Sequence, residues 1–181
     1  LRRTKLHPLP SLEAFALQLS GTALMHRAAV PEFASARDVL EALIERHPRS
    51  PGPRAWLANW WVLRTTRGLT QQPQEEAARA LQQTRTALDI DPECTLALAM
   101  EGFVQCHMKA DLESAERSLR AALKLRPSES LAWLFLCVVQ GFKGEGDAAV
   151  EALAKGTEAF AAERMNRGIR QALAGRSVNE V

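Results

Sequence analysis

Apolar residues recur three or four positions apart in four successive stretches of the chain, with polar residues between them. This spacing places the apolar side chains on one face of an α-helix, and that face must be buried against another helix. The four faces consist of Phe33, Ala36, Leu40, Leu43 and Ile44; Ala77, Ala80, Leu81, Thr84, Ala87 and Leu88; Leu112, Ala115, Leu119, Ala122 and Leu123; and Ala149, Val150 and Leu153. The pattern predicts an all-α fold without strands.

A proline follows each of the first three apolar faces, in the strings LIERHP, LDIDP and LKLRP. These prolines, Pro48, Pro92 and Pro127, are 44 and 35 residues apart, so the pattern repeats along the chain. A small residue stands twelve positions before each proline and another stands ten positions after it: Ala36, Ala80 and Ala115, and Ala58, Gly102 and Cys137. Small residues let two helices cross closely, and a proline stops the second helix. Each repeat is therefore predicted to be a pair of crossed helices.

The chain is interpreted as one domain of four helix pairs and a final capping helix: 1–181 in all, with pairs at about 11–48, 51–92, 93–127 and 128–161, and the capping helix at about 161–174. Ala161 stands where the fourth pair would have its proline. The capping helix would cover the apolar face that stacking leaves exposed on the last pair. The first two pairs have wider spacings, so extended turns are expected in them, with Gly68 and Pro73 bounding the turn of the second pair.

The repeats resemble the tetratricopeptide repeat (TPR) family, whose unit of about 34 residues carries W, L-G, Y, A, F, A and P at fixed offsets. The resemblance rests on Trp133-x-x-x-Cys137, on Trp61 three positions after Ala58, and on the strings AALKLRP and TALDIDP. Gln105 and Gln140 depart from the family pattern, because they occupy its usual tyrosine position. The resemblance implies a TPR-like right-handed helical-repeat solenoid of about four helix pairs plus a C-terminal capping helix. It also implies a scaffold for protein–protein interaction.

Three longer strings are similar to the repeat regions attached to bacterial class III adenylate/guanylate cyclases and winged-helix transcriptional regulators: RAWLANWWVLRTTRGLT, TALDIDPECTLALAMEGFVQ and SLAWLFLCVVQGFKGEGDAAVEAL. This resemblance implies a regulatory module of a larger bacterial signalling protein whose output domain lies outside the chain. Two alternatives remain, a non-catalytic region of a nucleotide cyclase and a nucleic-acid-associated regulator. Because the sequence begins at Leu1 rather than at a methionine, we expect it to come from a longer polypeptide.

Charge and composition do not favour a nucleic-acid or membrane partner. The formal charge is +2, from 23 basic and 21 acidic residues, which lacks the bias of a domain built to bind nucleic acid or anionic membrane. No apolar run approaches the roughly 20 residues that cross a bilayer, so no membrane partner is expected. The three cysteines are odd in number and show no C-x-x-C spacing, which argues against disulfides and zinc and favours a reducing cytoplasm.

Catalytic and cofactor chemistry has no support in the sequence. The four histidines, His7, His26, His47 and His107, are scattered and have no carboxylate or cysteine at ligand spacing. Cys106 and His107 are adjacent, so their side chains diverge on a helix and do not form a catalytic pair. We therefore expect no enzyme activity, no metal and no cofactor.

A protein or peptide is the expected partner, held in a groove lined by the first helix of each pair. The candidate residues follow the small residue of each first helix by one to five positions: Thr22, Met25, Asn59, Val62, Leu63, Phe103, Cys106, His107, Val138 and Phe142. Their mostly apolar, neutral character favours an apolar helix or the chain's own terminal segment, and the alternative is that several are core. Trp56 and Trp60 are candidates for an exposed interface or a homodimer contact, since Trp61 takes the family's core position.

Overall fold

The computed structural model describes the backbone of residues 12–177 and the side chains of residue 14 and residues 16–166. Within this part of the chain eight helices follow one another and no strand occurs: α1 (Leu12–Met25), α2 (Val30–Arg46), α3 (Pro51–Thr66), α4 (Pro73–Ile90), α5 (Thr95–Lys109), α6 (Leu112–Leu125), α7 (Ser130–Lys143) and α8 (Gly146–Ser177). The all-α prediction is confirmed. None of these helices has the length and apolar character needed to cross a lipid bilayer.

The helices pack as four pairs, α1 with α2, α3 with α4, α5 with α6 and α7 with α8. The first helices of successive pairs also contact one another, α1 with α3, α3 with α5 and α5 with α7. Among the described residues the second helices of successive pairs make no such contacts. The array is therefore curved, and α1, α3, α5 and α7 form its inner layer while α2, α4, α6 and α8 form the outer layer.

Small residues lie where the two helices of a pair cross. A methyl group built on Gly102 of α5 would lie 2.7 Å from the Leu119 side chain and 2.9 Å from the Ala115 carbonyl oxygen of α6. Gly156 of α8 is similarly close to Leu134 of α7, at 3.1 Å. The alanines predicted at crossings have no exposed surface: Ala36, Ala58, Ala80 and Ala115. The role assigned to small residues from their spacing is confirmed for Gly102 and Ala115, whereas Cys137 of α7 is only half-buried.

Two hydrophobic cores run along the array. The first is built from buried residues of α1 to α5, and the second from buried residues of α5 to α8. In the first core the Phe33 ring of α2 stacks on the Trp60 ring of α3, with the centroids 5.0 Å apart. The Trp60 indole Nε1–H also donates a hydrogen bond to the Phe33 carbonyl oxygen at 2.8 Å. This contact joins the first helix pair to the second.

The turns within pairs follow the sequence expectations. Four and six residues separate the helices of the first and second pairs, against two in the third and fourth. Gly68, with φ of +69°, lies in the turn of the second pair, and Pro73 begins α4. The αL conformation suits glycine because it has no Cβ to clash with the backbone. The extended turns predicted for the first two pairs are present.

The end of the array differs from the prediction. α8 runs without a break from Gly146 to Ser177, so residues 161–174 continue this helix and do not form a separate capping helix. The physical reason is the residue at position 161. Pro48, Pro92 and Pro127 follow α2, α4 and α6, whereas alanine at 161 favours continued helix.

Candidate partner-binding groove

Four ring-bearing side chains of α5 and α7 lie in contact on the inner layer, and we call them the aromatic row: Phe103, Phe135, His107 and Phe142. The Phe103 and Phe135 rings stack with their centroids 4.0 Å apart and their planes 9° apart. The His107 ring lies 4.4 Å from Phe103, and Phe142 lies 6.1 Å from His107 in an edge-on arrangement. The row therefore bridges two neighbouring inner helices.

The row is partly open to solvent. Phe142, in the last turn of α7, is 63% exposed, while Phe103, Phe135 and His107 are half-buried. Val138, one turn before Phe142, is also half-buried. Single exposed apolar residues are normal on protein surfaces, but a connected group of rings that ends in an exposed phenylalanine is typical of a contact surface.

His107 keeps the row uncharged near neutral pH. Burial lowers the pKa of His107 because it disfavours the charged imidazolium, and the nearby Phe103 carbonyl offsets part of that effect. The Nδ1 atom of His107 is buried and has no hydrogen-bond partner among the described residues.

The inner side of α3 extends the groove. Trp56, Asn59 and Leu63 follow one another at helical spacing, and Trp56 and Leu63 are half-buried against the first core. Asn59 is 5% exposed, and within the described part of the chain no hydrogen bond involves its side chain. The Asn59 side chain is therefore enclosed by the packing of α3, and the prediction that it lines the groove is wrong.

Several residues predicted to line the groove are instead core. Met25 and Val62 have no exposed surface, and Cys106 is 6% exposed, so the prediction is wrong for them. Each belongs to a hydrophobic core. Their helices are packed on more than one side, and an offset counted from a single small residue cannot separate two adjacent helix faces. Thr22 is half-buried, and its hydroxyl donates to carbonyls of its own helix.

The prediction is also wrong for Trp60, which is 3% exposed and cannot be a surface contact. Its ring lies between Phe33 of α2 and the edge of Trp61, whose centroid is 4.9 Å away. α3 is contacted by α1, α2, α4 and α5, so adjacent positions on this helix are both covered. Of the two predicted interface tryptophans only Trp56 keeps partial exposure.

Phe135 belongs to the aromatic row but is absent from the residues predicted to line the groove. It lies two positions before the small residue Cys137, whereas the predicted lining residues all follow the small residue of their helix. The signal that could have found it is the spacing of Phe135, Val138 and Phe142, which are three and four positions apart and share one helix face.

Two of the three cysteines are poorly suited to nucleophilic chemistry. Burial raises the pKa of the Cys94 and Cys106 thiols, which keeps them protonated and poorly nucleophilic. No group of three His, Cys, Asp or Glu side chains within the described residues could hold a metal ion. The chemistry available in the groove is apolar contact and hydrogen bonding.

Solved structures with the same architecture are TPR proteins. The thermophilic TPR protein TTC0263 of Thermus thermophilus superposes with a TM-score of 0.61 at 20% identity, covering 79% of this chain and 72% of that one. The fold is a TPR-type solenoid. MamA superposes with a TM-score of 0.52 at 16% identity, covering 84% and 81% of the two chains. The Sgt2 TPR domain of Aspergillus fumigatus gives 0.51 at 20% identity, covering 88% and 85%. At such identities the TPR likeness concerns the fold alone.

Sequence comparisons give local matches only. No protein-family model matches the chain. A chaperone protein HscA homolog of Acidovorax sp. (strain JS42) is 38% identical over 104 residues, which cover 58% of this chain and 13% of that protein. The HscA homolog of Methylibium petroleiphilum is 86% identical over 35 residues, or 19% of this chain and 6% of that protein. The chain therefore spans a small fraction of these curated relatives.

Proposed function

We propose that this TPR-type solenoid is a protein–protein interaction module that binds a segment of another protein along its inner layer. The observation that carries the proposal is the aromatic row, a connected and uncharged surface that ends in the exposed ring of Phe142. Curved helical arrays commonly hold their partners on the concave side, where several helices contribute contacts to one ligand.

The chemistry of the row favours an apolar partner segment. A large aliphatic or aromatic side chain can pack against Phe142 and Val138. The row carries no charged residue that would hold a carboxylate or phosphate. An apolar helix or extended segment is therefore the proposed ligand.

The best experiment places a photo-crosslinker at position 142 of the full chain, with p-benzoylphenylalanine in place of Phe142. The matched control carries the same crosslinker in place of Leu125, which is 47% exposed on the outer helix α6. We expect a crosslinked protein only with position 142, and we expect Phe103→Ala to remove it. Equal crosslinking from both positions would reject the groove as the binding surface.

The wider context of the module is also a proposal. The likeness to cyclase and regulator repeat regions supports a non-catalytic role beside the output domain of a larger signalling protein. On this proposal the isolated chain turns over no nucleotide. A nucleic-acid-associated role would instead give DNA or RNA binding that weakens steeply as salt rises. Nucleotide turnover and salt-dependent gel shifts measured on the same preparation separate these roles.

The local similarity to chaperone protein HscA homologs supports a second candidate, a segment that acts within or beside a chaperone. Such a segment would bind exposed apolar stretches of unfolded chains through the same groove. We would test it by light scattering, as suppression of the aggregation of a chemically denatured enzyme. Phe142→Glu should abolish the suppression, and no suppression by the unaltered chain would remove this candidate.

A further inference from the structure

The outward side of α8 carries large apolar side chains that no described residue covers. Val150, Leu153, Phe160 and Met165 are between 45% and 69% exposed. The opposite side of α8 packs on α7, where Ala152 is buried and Gly156 approaches Leu134. The exposed set is therefore distinct from the groove and lies at the open end of the array.

These residues share one helix face. At 100° per residue, six residues of α8 project within about 80° of the direction of Val150 around the helix axis. We call them the α8 stripe: Val150, Leu153, Ala154, Phe160, Ala161 and Met165. Thr157 lies at its middle, Asp147 and Arg164 lie at its two ends within the same arc, and Glu158 lies at the edge of the arc. All four are exposed. The stripe from Val150 to Met165 is about 22 Å long.

We infer that the α8 stripe binds the α8 stripe of a second copy of this chain, antiparallel and about a two-fold axis at Thr157. In that arrangement residues at equal distances before and after Thr157 face each other. Leu153 then faces Ala161, and Phe160 faces Ala154. Two large side chains of one copy, Leu153 and Phe160, thus meet alanines of the other, which is the complementarity that a symmetric interface requires.

The charges at the two ends of the stripe favour the same arrangement. Val150 of one copy faces Arg164 of the other, and the guanidinium can reach Asp147 one turn earlier. Within the described part of the chain neither Asp147 nor Arg164 makes an ion pair. Antiparallel pairing would create this ion pair twice, once on each side of the axis. Parallel pairing would bring Arg164 against Arg164 and Phe160 against Phe160, which costs electrostatic energy and leaves the small residues unfilled.

The predicted dimer is weak. One helix contact of about 22 Å buries less than the roughly 1,200 Å² of a stable standard interface. We expect dissociation at micromolar or higher concentration, so the experiment must cover a wide concentration range. Sedimentation equilibrium of the full 181-residue chain, with reductant to keep its three cysteines as thiols, measures the association directly.

Two sets of variants test the geometry. Thr157→Arg places like charges together at the two-fold axis and should weaken dimerisation at least about tenfold. Ala162→Arg is the matched control, since it adds the same residue to an exposed position of α8 outside the stripe, and it should leave dimerisation unchanged. Circular dichroism checks that both variants remain helical.

A charge exchange decides the antiparallel register. Asp147→Arg and Arg164→Asp should each weaken the dimer, and the double variant should restore it, because the exchanged charges again face each other. A chain that stays monomeric at about 500 μM would overturn the inference. The inference would equally be overturned by a dimer that Thr157→Arg does not weaken, or by a double variant whose dimerisation is not restored. Either result would favour another occupant of the stripe.

Discussion

Replacing Gly102 by alanine adds one methyl group at the closest point between α5 and α6. The new Cβ would lie 2.7 Å from Leu119 Cγ and 2.9 Å from the Ala115 carbonyl oxygen, and one of these contacts is with backbone, which cannot rotate away. Overpacking of this kind costs about 1–3 kcal/mol. Alanine recovers about 1 kcal/mol from its higher helix propensity. We therefore expect a net loss of up to about 2 kcal/mol in the free energy of unfolding.

Gly141→Ala is the matched control. Gly141 is also inside a helix, α7, but nothing lies within 4 Å of a Cβ built on it. The same substitution should therefore stabilise the chain by up to about 1 kcal/mol. The two variants differ only in the packing around the added methyl group, so their difference isolates the cost of the helix crossing.

Urea unfolding followed by circular dichroism measures both effects. With a slope of about 2 kcal/mol/M, Gly102→Ala should lower the midpoint by up to about 1 M, while Gly141→Ala should raise it slightly. Equal midpoints for the two variants would refute the reasoning, because they would show that α5 and α6 can separate without cost. A changed slope would indicate that the substitution altered the extent of unfolding rather than the packing.

Three further predictions concern the fold and the groove. The pKa of Glu116 is lowered by its hydrogen bond to Lys143, at 2.7 Å. The Glu116 carboxylate therefore stabilises the folded chain fully above about pH 4.5, and this stabilisation is lost as the pH falls through the lowered pKa. Lys143→Met should therefore reduce the loss of thermal stability between pH 5 and pH 3, and an unchanged pH profile would contradict this. Trp60→Phe should cost about 1–3 kcal/mol in urea unfolding because it leaves the Phe33 carbonyl without its buried donor, and a neutral result would mean that water replaces the indole. Phe142→Ala should weaken a groove ligand by up to about 100-fold, since the 63% exposed ring offers about 120 Å² of apolar surface worth about 3 kcal/mol. Titration calorimetry with the partner that the crosslinking identifies measures this loss of affinity. The midpoint of urea unfolding of the variant should not change.

Helix positions and crossings could be predicted from the sequence because they depend on local rules. A small residue at a fixed distance from a proline identified Ala115 and Gly102, and the structure places both at one crossing. The continuous α8 was missed because the family pattern ends a repeat near position 161, whereas the alanine there favours continued helix. Here local helix propensity decided the outcome.

The groove was harder to predict than the fold. Apolar residues on inner helices serve both core and groove, and their sequence spacing does not say which neighbours cover them. Met25 and Phe142 show the problem, because both were assigned to the groove and one is fully buried while the other is largely exposed. The difference depends on which helices pack beside each one, and that is a property of the assembled array.

α5 has a consequence for how the chain moves and unfolds. It is the one described helix that contributes buried residues to both hydrophobic cores, through Met100 and Val104 on one side and Ala99 and Cys106 on the other. In a linear array each unit is held by its neighbours, so terminal helices can open alone while a shared central helix cannot. The amide protons of α5 should therefore exchange with solvent only when the whole array opens, and a ligand on Phe103 would act on the slowest-opening part of the protein.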